Sequence, residues 1–130
     1  SGTDAQMWGF ATKVMEISWH SSGRWLATGG GNEICIWDCG GSGPAGREPV
    51  FLRCHFNKIT QLAYQPSGRY LVSTDVDKFL LLWEPEMHNQ LISAASLSAP
   101  ASCVRWNFAG TVLATGQQDG VITAFKVKNA

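Results

Sequence analysis

The stretch ISWHSSGRWLATGG beginning at Ile17 returns as LAYQPSGRYLVSTD at Leu62 and again as VRWNFAGTVLATGQ at Val104. Trp19, Tyr64 and Trp106 align, as do Gly23, Gly68 and Gly110, and Leu26, Leu71 and Leu113, at spacings of 45 and then 42 residues. A threefold repeat of this period restricts the fold more than any composition figure. Each copy is a supersecondary unit that buries its apolar faces by stacking on its neighbours.

Inside each unit, short runs with apolar residues on alternate positions are separated by Gly, Pro, Asp, Asn and Ser, the pattern of strands and turns. In unit one it predicts strands near Val14–Trp19, Trp25–Thr28, Ile34–Asp38 and Val50–Arg53, with turns at HSSGR and GGNE. No segment keeps a helical period, so the class is all-β. The run Gly29, Gly30, Gly31 resembles a phosphate loop only superficially. A strand follows it rather than a helix, and no Lys-Ser/Thr pair closes the motif.

At 130 residues the chain is one domain, and 45% hydrophobic content with six Trp is enough for a core. Ten basic and ten acidic residues cancel, which disfavours a nucleic-acid partner. No apolar run approaches a membrane span, even KFLLLWEP being closed by charge and proline. The start SGTDAQMW lacks the basic and apolar segments of a signal peptide, and Ser1 with Gly2 reads as a tag remnant. Without secretory context, Cys35, Cys39, Cys54 and Cys103 are expected as reduced thiols in an intracellular protein, cytoplasmic or nuclear.

The three units resemble the WD-repeat branch of the β-propellers, whose blades are four-stranded sheets of about 40–45 residues with GH and WD signatures. Unit two matches best, with His55 of the GH pair and Trp83 and Glu84 in the WD place. Unit one has the literal Trp37 and Asp38, preceded by Gly9 and Phe10. Unit three is degenerate, with Ser96 and Leu97, then Phe125 and Lys126. The resemblance implies blade units at about 9–53, 54–95 and 96–128.

It also implies a structural network in each blade. In unit two these residues are His55, Ser73, Asp77 on the tight turn, and Trp83; in unit one, Thr28, Asn32 and Trp37; in unit three, Thr115 and Asp119. Serine, histidine and aspartate are also the parts of a hydrolase triad, but no oxyanion hole or substrate cleft is indicated, so the chain is read as no enzyme. Cys54 and His55 with Cys35 and Cys39 do not space as a zinc site, and no metal or cofactor is expected. His20 and His88 fall in turns and are read as solvated. Lys13, Lys58, Arg24, Arg69 and Arg105 alternate with acids as a mixed surface.

Propellers close with about 4–8 blades, so three are too few. DAQMW occupies the place of an outer strand while unit three ends after its third, so residues 4–8 are expected to complete a terminal blade, of this chain or of a partner copy. Two copies would make a six-bladed homodimeric ring, each chain half of it. The alternative is a longer native chain carrying the remaining blades. CGGSGPAGREP, residues 39–49, is read as a surface insertion.

The resemblance implies a non-catalytic scaffold for protein or peptide partners. Its contact face would carry Phe10, Lys13, Gly31, Lys58, Val76, Pro100 and Gln118. A nucleic-acid-associated propeller and a hydrolase working in the channel are the competing readings.

Overall fold

A computed structural model of the chain describes residues 6, 13–41, 43–44, 47–87 and 90–128. Among these residues there are eleven strands, and no helix is long and apolar enough to cross a membrane. The strands are β1 (Glu16–Trp19), β2 (Trp25–Gly29), β3 (Glu33–Asp38), β4 (Val50–Arg53), β5 (Ile59–Tyr64), β6 (Leu71–Asp75), β7 (Phe79–Glu84), β8 (Gln90–Ser96), β9 (Ala101–Trp106), β10 (Val112–Gln117) and β11 (Ile122–Lys126).

They form three antiparallel sheets, β1-β2-β3-β4, β5-β6-β7-β8 and β9-β10-β11, each a meander in chain order. The third sheet has three strands among the described residues, where a fourth was expected from residues 4–8. Of those only Gln6 is described, so that expectation lies outside the described residues. The first strands β1, β5 and β9 lie side by side, which fans the sheets as stacked blades.

The period-two alternation of each strand gives its sheet two different faces. In the first sheet Ala27, Ile34, Ile36 and Leu52 point one way and pack on Leu62, Leu71, Leu81 and Trp83 of the second sheet. The opposite face of the second sheet, with Val72 and Leu80, packs on Val104 and Leu113 of the third. Burying a side chain such as Leu71, which is fully enclosed, contributes about 1.5–3 kcal/mol. Gly29 lies close against the second blade, where a Cβ would press on Ile59 and Leu62 at 3.1 and 3.2 Å.

The turns between first and second strands are built around the aligned glycines Gly23, Gly68 and Gly110, with φ of 75°, 83° and 73°. That left-handed conformation is open to glycine without strain. Two of these glycines also receive the neighbouring blade. A Cβ on Gly68 would overlap the His20 ring, and one on Gly110 would sit 3.0 Å from Gln65, whose Nε2 donates to the Gly110 carbonyl at 2.7 Å. His20 is therefore not a solvated turn residue: its side chain is only 12% exposed and lies edge-on to Tyr64. His88 falls outside the described residues.

Candidate functional site

The buried polar cluster of the second blade has the connectivity of a hydrolytic triad. Trp83 Nε1 donates to Ser73 Oγ at 2.9 Å, Ser73 Oγ lies 2.6 Å from His55 Nε2, and His55 Nδ1 lies 2.5 Å from Asp75 Oδ2. An ionised carboxylate only accepts, so Nδ1 carries the imidazole proton and Ser73 donates to Nε2. The other Asp75 oxygen accepts the backbone N–H groups of Asp77 at 2.8 Å and Phe79 at 3.1 Å, which shapes the turn into β7.

Burial decides what this cluster can do. The His55 and Asp75 side chains are 0% and 1% exposed and Ser73 is enclosed, so no substrate reaches the hydroxyl. Burial lowers the His55 pKa below its ordinary value although Asp75 pulls the other way, so the ring is held neutral. No buried side-chain polar atom among the described residues lacks a partner. The arrangement ties the lead-in to β5, the strands β6 and β7 and the turn between them into one buried unit.

Asp77 was the carboxylate expected from the sequence, but the one that meets His55 is Asp75. Asp77 is exposed and accepts from Asn57 Nδ2 at 3.4 Å. Strand parity carried the signal: Ser73 and Asp75, two apart on β6, share a face, whereas Asp77 is already in the turn. In the first blade Trp37 Nε1 donates to Thr28 Oγ1 at 2.9 Å, and Asn32 stays exposed in the turn. Gly30 takes the Asp75 position there, and a side chain would overlap the backbone carbonyl of Lys13. In the third blade Thr115 Oγ1 donates to Gln117 Oε1 at 2.6 Å, and Gln117 Nε2 donates to Ser98 Oγ at 2.9 Å. Gln117, not Asp119, is thus the partner of Thr115. Asp119 accepts from Val121 N at 3.1 Å, and hydrogen bonds from the Ser98 hydroxyl and then Val121 hold its carboxyl below the usual range.

The acid of the WD dipeptide has a surface partner. Asp38 accepts two bonds from Arg24, at 2.9 and 3.0 Å, and one from Gly40 N, which together hold its carboxyl well below the usual range. Arg69 repeats this with Glu84 at 2.7 Å in the second blade. All four cysteines are free, and burial pushes the Cys35 thiol up to about 11.

Lys13, Lys58, Val76 and Gln118 line one cleft of about 450 Å³ beside the lead-ins to the first strands, together with Met15 and Gln61. Backbone bonds shape its rim: Ile59 N donates to the Gly31 carbonyl of the preceding blade at 2.9 Å, and within the third blade Gln118 N donates to the Pro100 carbonyl at 3.0 Å. Among the described residues none of the lining side chains is acidic. Phe10, expected at the same face, falls outside the described residues.

The family model for the WD domain, G-beta repeat, matches residues 6–38 and 46–84. The chain is 27% identical over 122 residues to THO complex subunit 3 of Arabidopsis thaliana, 92% of this chain and 38% of that protein. It is 33% identical over 89 residues to nuclear distribution protein nudF of Aspergillus terreus, covering 66% and 19%. It is 34% identical over 86 residues to the probable cytosolic iron-sulfur protein assembly protein 1 of Sclerotinia sclerotiorum, covering 59% and 19%. The chain thus spans less than two fifths of the length of each of these relatives. With more than half of its residues inside the matched repeats and its sheets stacked as blades, the chain belongs to the WD40 repeat family.

Proposed function

We propose that this chain is a non-catalytic interaction scaffold, and that the cleft between the strand lead-ins docks an acidic segment of a protein partner. The observation that carries this is the meeting of Lys13 and Lys58 from successive blades in one cleft. Relatives named as a complex subunit and an assembly protein support a scaffold role. The word cytosolic in one relative's name supports the reading of an intracellular protein, cytoplasmic or nuclear. The zero formal net charge argues against a phosphate-backbone partner.

The test is fluorescence titration with a labelled acidic peptide and its charge-reversed counterpart. Lys58→Glu is expected to weaken acidic-peptide binding about tenfold or more at an unchanged melting temperature, since like charge replaces attraction at an exposed position. Equal binding of both peptides would remove the reading. A steep loss of single-stranded oligonucleotide binding with salt would favour the nucleic-acid alternative.

The same reading includes closure of the ring, by a second copy or by further blades of a longer chain. An open cleft of about 390 Å³ runs between the second and third sheets, lined by Val72, Leu82, Ile92, Phe125 and Val127. It borders β11, at the edge of its sheet among the described residues, where one more strand would pair. Gly23 gives a second sign: unlike Gly68 and Gly110, it has nothing among the described residues within 4 Å of where a Cβ would stand, which supports an open place for a neighbouring blade.

A further inference from the structure

A pocket of about 120 Å³ lies between the first and second blades, at the turns that follow β1 and β7. It is at the opposite end of the sheets from the lysine cleft and does not depend on it. Its walls include His20, Trp25 and Tyr64, and its charged lining group is Glu86. The His20 and Tyr64 rings meet at 81° with centroids 5.3 Å apart, so two walls form a right-angled aromatic corner. Pro85 and Ile36 make much of the rest apolar. Among the described residues no lysine or arginine lines the pocket.

The charge is held in place. His20 Nδ1 accepts from Ser22 N at 3.0 Å, which leaves the ring proton on Nε2, and Nε2 lies 3.7 Å from Glu86 Oε1. Glu86 is 66% exposed, so its carboxylate stands at the mouth rather than the floor. The outer neighbour Arg24 lies over the Trp25 ring, 4.7 Å from its centroid, and is kept there by Asp38. A cation already uses this ring, and the arginine that does so does not line the pocket.

From this geometry we infer that the pocket binds an alkylated ammonium group, the chemistry shared by a methylated lysine side chain and choline. Aromatic faces attract cations through their quadrupole, and the carboxylate supplies the counter-charge. A bare ammonium is strongly hydrated and would leave its N–H donors short of acceptors against an apolar wall. Methyl groups remove those donors and spread the charge. The volume, about 120 Å³, accommodates a compact methylated head.

The probes are Nα-acetyl trimethyllysine amide, its unmethylated counterpart, choline, and 3,3-dimethylbutanol, the neutral isostere of choline. Binding is followed by tryptophan fluorescence and calorimetry on the wild-type chain. Trimethyllysine amide or choline is expected to bind at least tenfold more tightly than its unmethylated or neutral counterpart, and the tighter of the two identifies the source. Glu86→Gln is expected to weaken either at least fivefold at an unchanged melting temperature, whereas Tyr64→Phe, which keeps the ring, should leave it within about twofold. Equal binding of choline and its neutral isostere, or no saturable binding at 10-millimolar-scale ligand (roughly where weak cation–π sites still register), would overturn the assignment.

Discussion

Ser73 Oγ sits between a tryptophan donor and a histidine acceptor, and the depth of that site separates structure from catalysis. The His55 ring titrates near its ordinary 6.5 in the unfolded chain and lower in the folded one, because burial opposes its charge. As the pH falls below about 6.5 the unfolded chain takes up the proton first, so stability present at neutral pH is lost as the pH passes down to the folded value. Melting temperatures between pH 8 and 5 should therefore fall more steeply for wild type than for His55→Asn, and parallel curves would contradict this. A second residue-scale expectation concerns Lys78, whose φ of 73° is left-handed while its aligned counterpart is Gly120, with φ of 85°. Holding a side chain there costs about 1–2 kcal/mol and glycine's unfolded freedom returns part of it, so Lys78→Gly should stabilise the chain by roughly 0.5–1 kcal/mol in urea unfolding. A loss of stability would show that the Lys78 side chain contributes contacts that outweigh its backbone strain.

At the scale of elements, the turn between first and second strands serves two purposes whose costs separate by position. Gly23 and Gly68 share a positive φ, but only Gly68 faces a ring from the preceding blade. Gly23→Ala should cost about 1 kcal/mol from backbone strain alone, whereas Gly68→Ala should cost about 1–3 kcal/mol more because His20 must move. A double-mutant cycle with His20→Ala should recover most of that excess, and additivity would refute the interlock. The glycine positions were legible in the sequence because the repeat aligned them. Their role as sockets was not, since a residue 48 positions earlier fills one of them. The same limit explains Asp75 and Gln117. The resemblance pointed to Asp77 and Asp119, but the strands run on to Asp75 and Gln117, whose side chains still point to the buried face.

For the whole molecule, the open cleft beside β11 and the unfilled space at Gly23 set an expectation about assembly. If a second copy closes the ring, sedimentation equilibrium should give twice the chain mass over a wide concentration range, and Ile92→Glu, at an exposed position in the cleft beside β11, should favour monomers. A single-chain mass at every concentration would leave closure to further blades of a longer chain.

The sequence by itself determined the all-β class, the three units and their glycine turns. These follow from alternation and repeat spacing, which are properties of the local chain. Only the tertiary structure decided which carboxylate completes the second blade's network and that His20 is packed against the next blade rather than solvated. It alone showed that the serine and histidine of an apparent triad are sealed from solvent, and that Trp25, Tyr64, His20 and Glu86 share one pocket. Each of these depends on how one blade lies against the next, and packing between segments about 45 residues apart is not written in either segment alone.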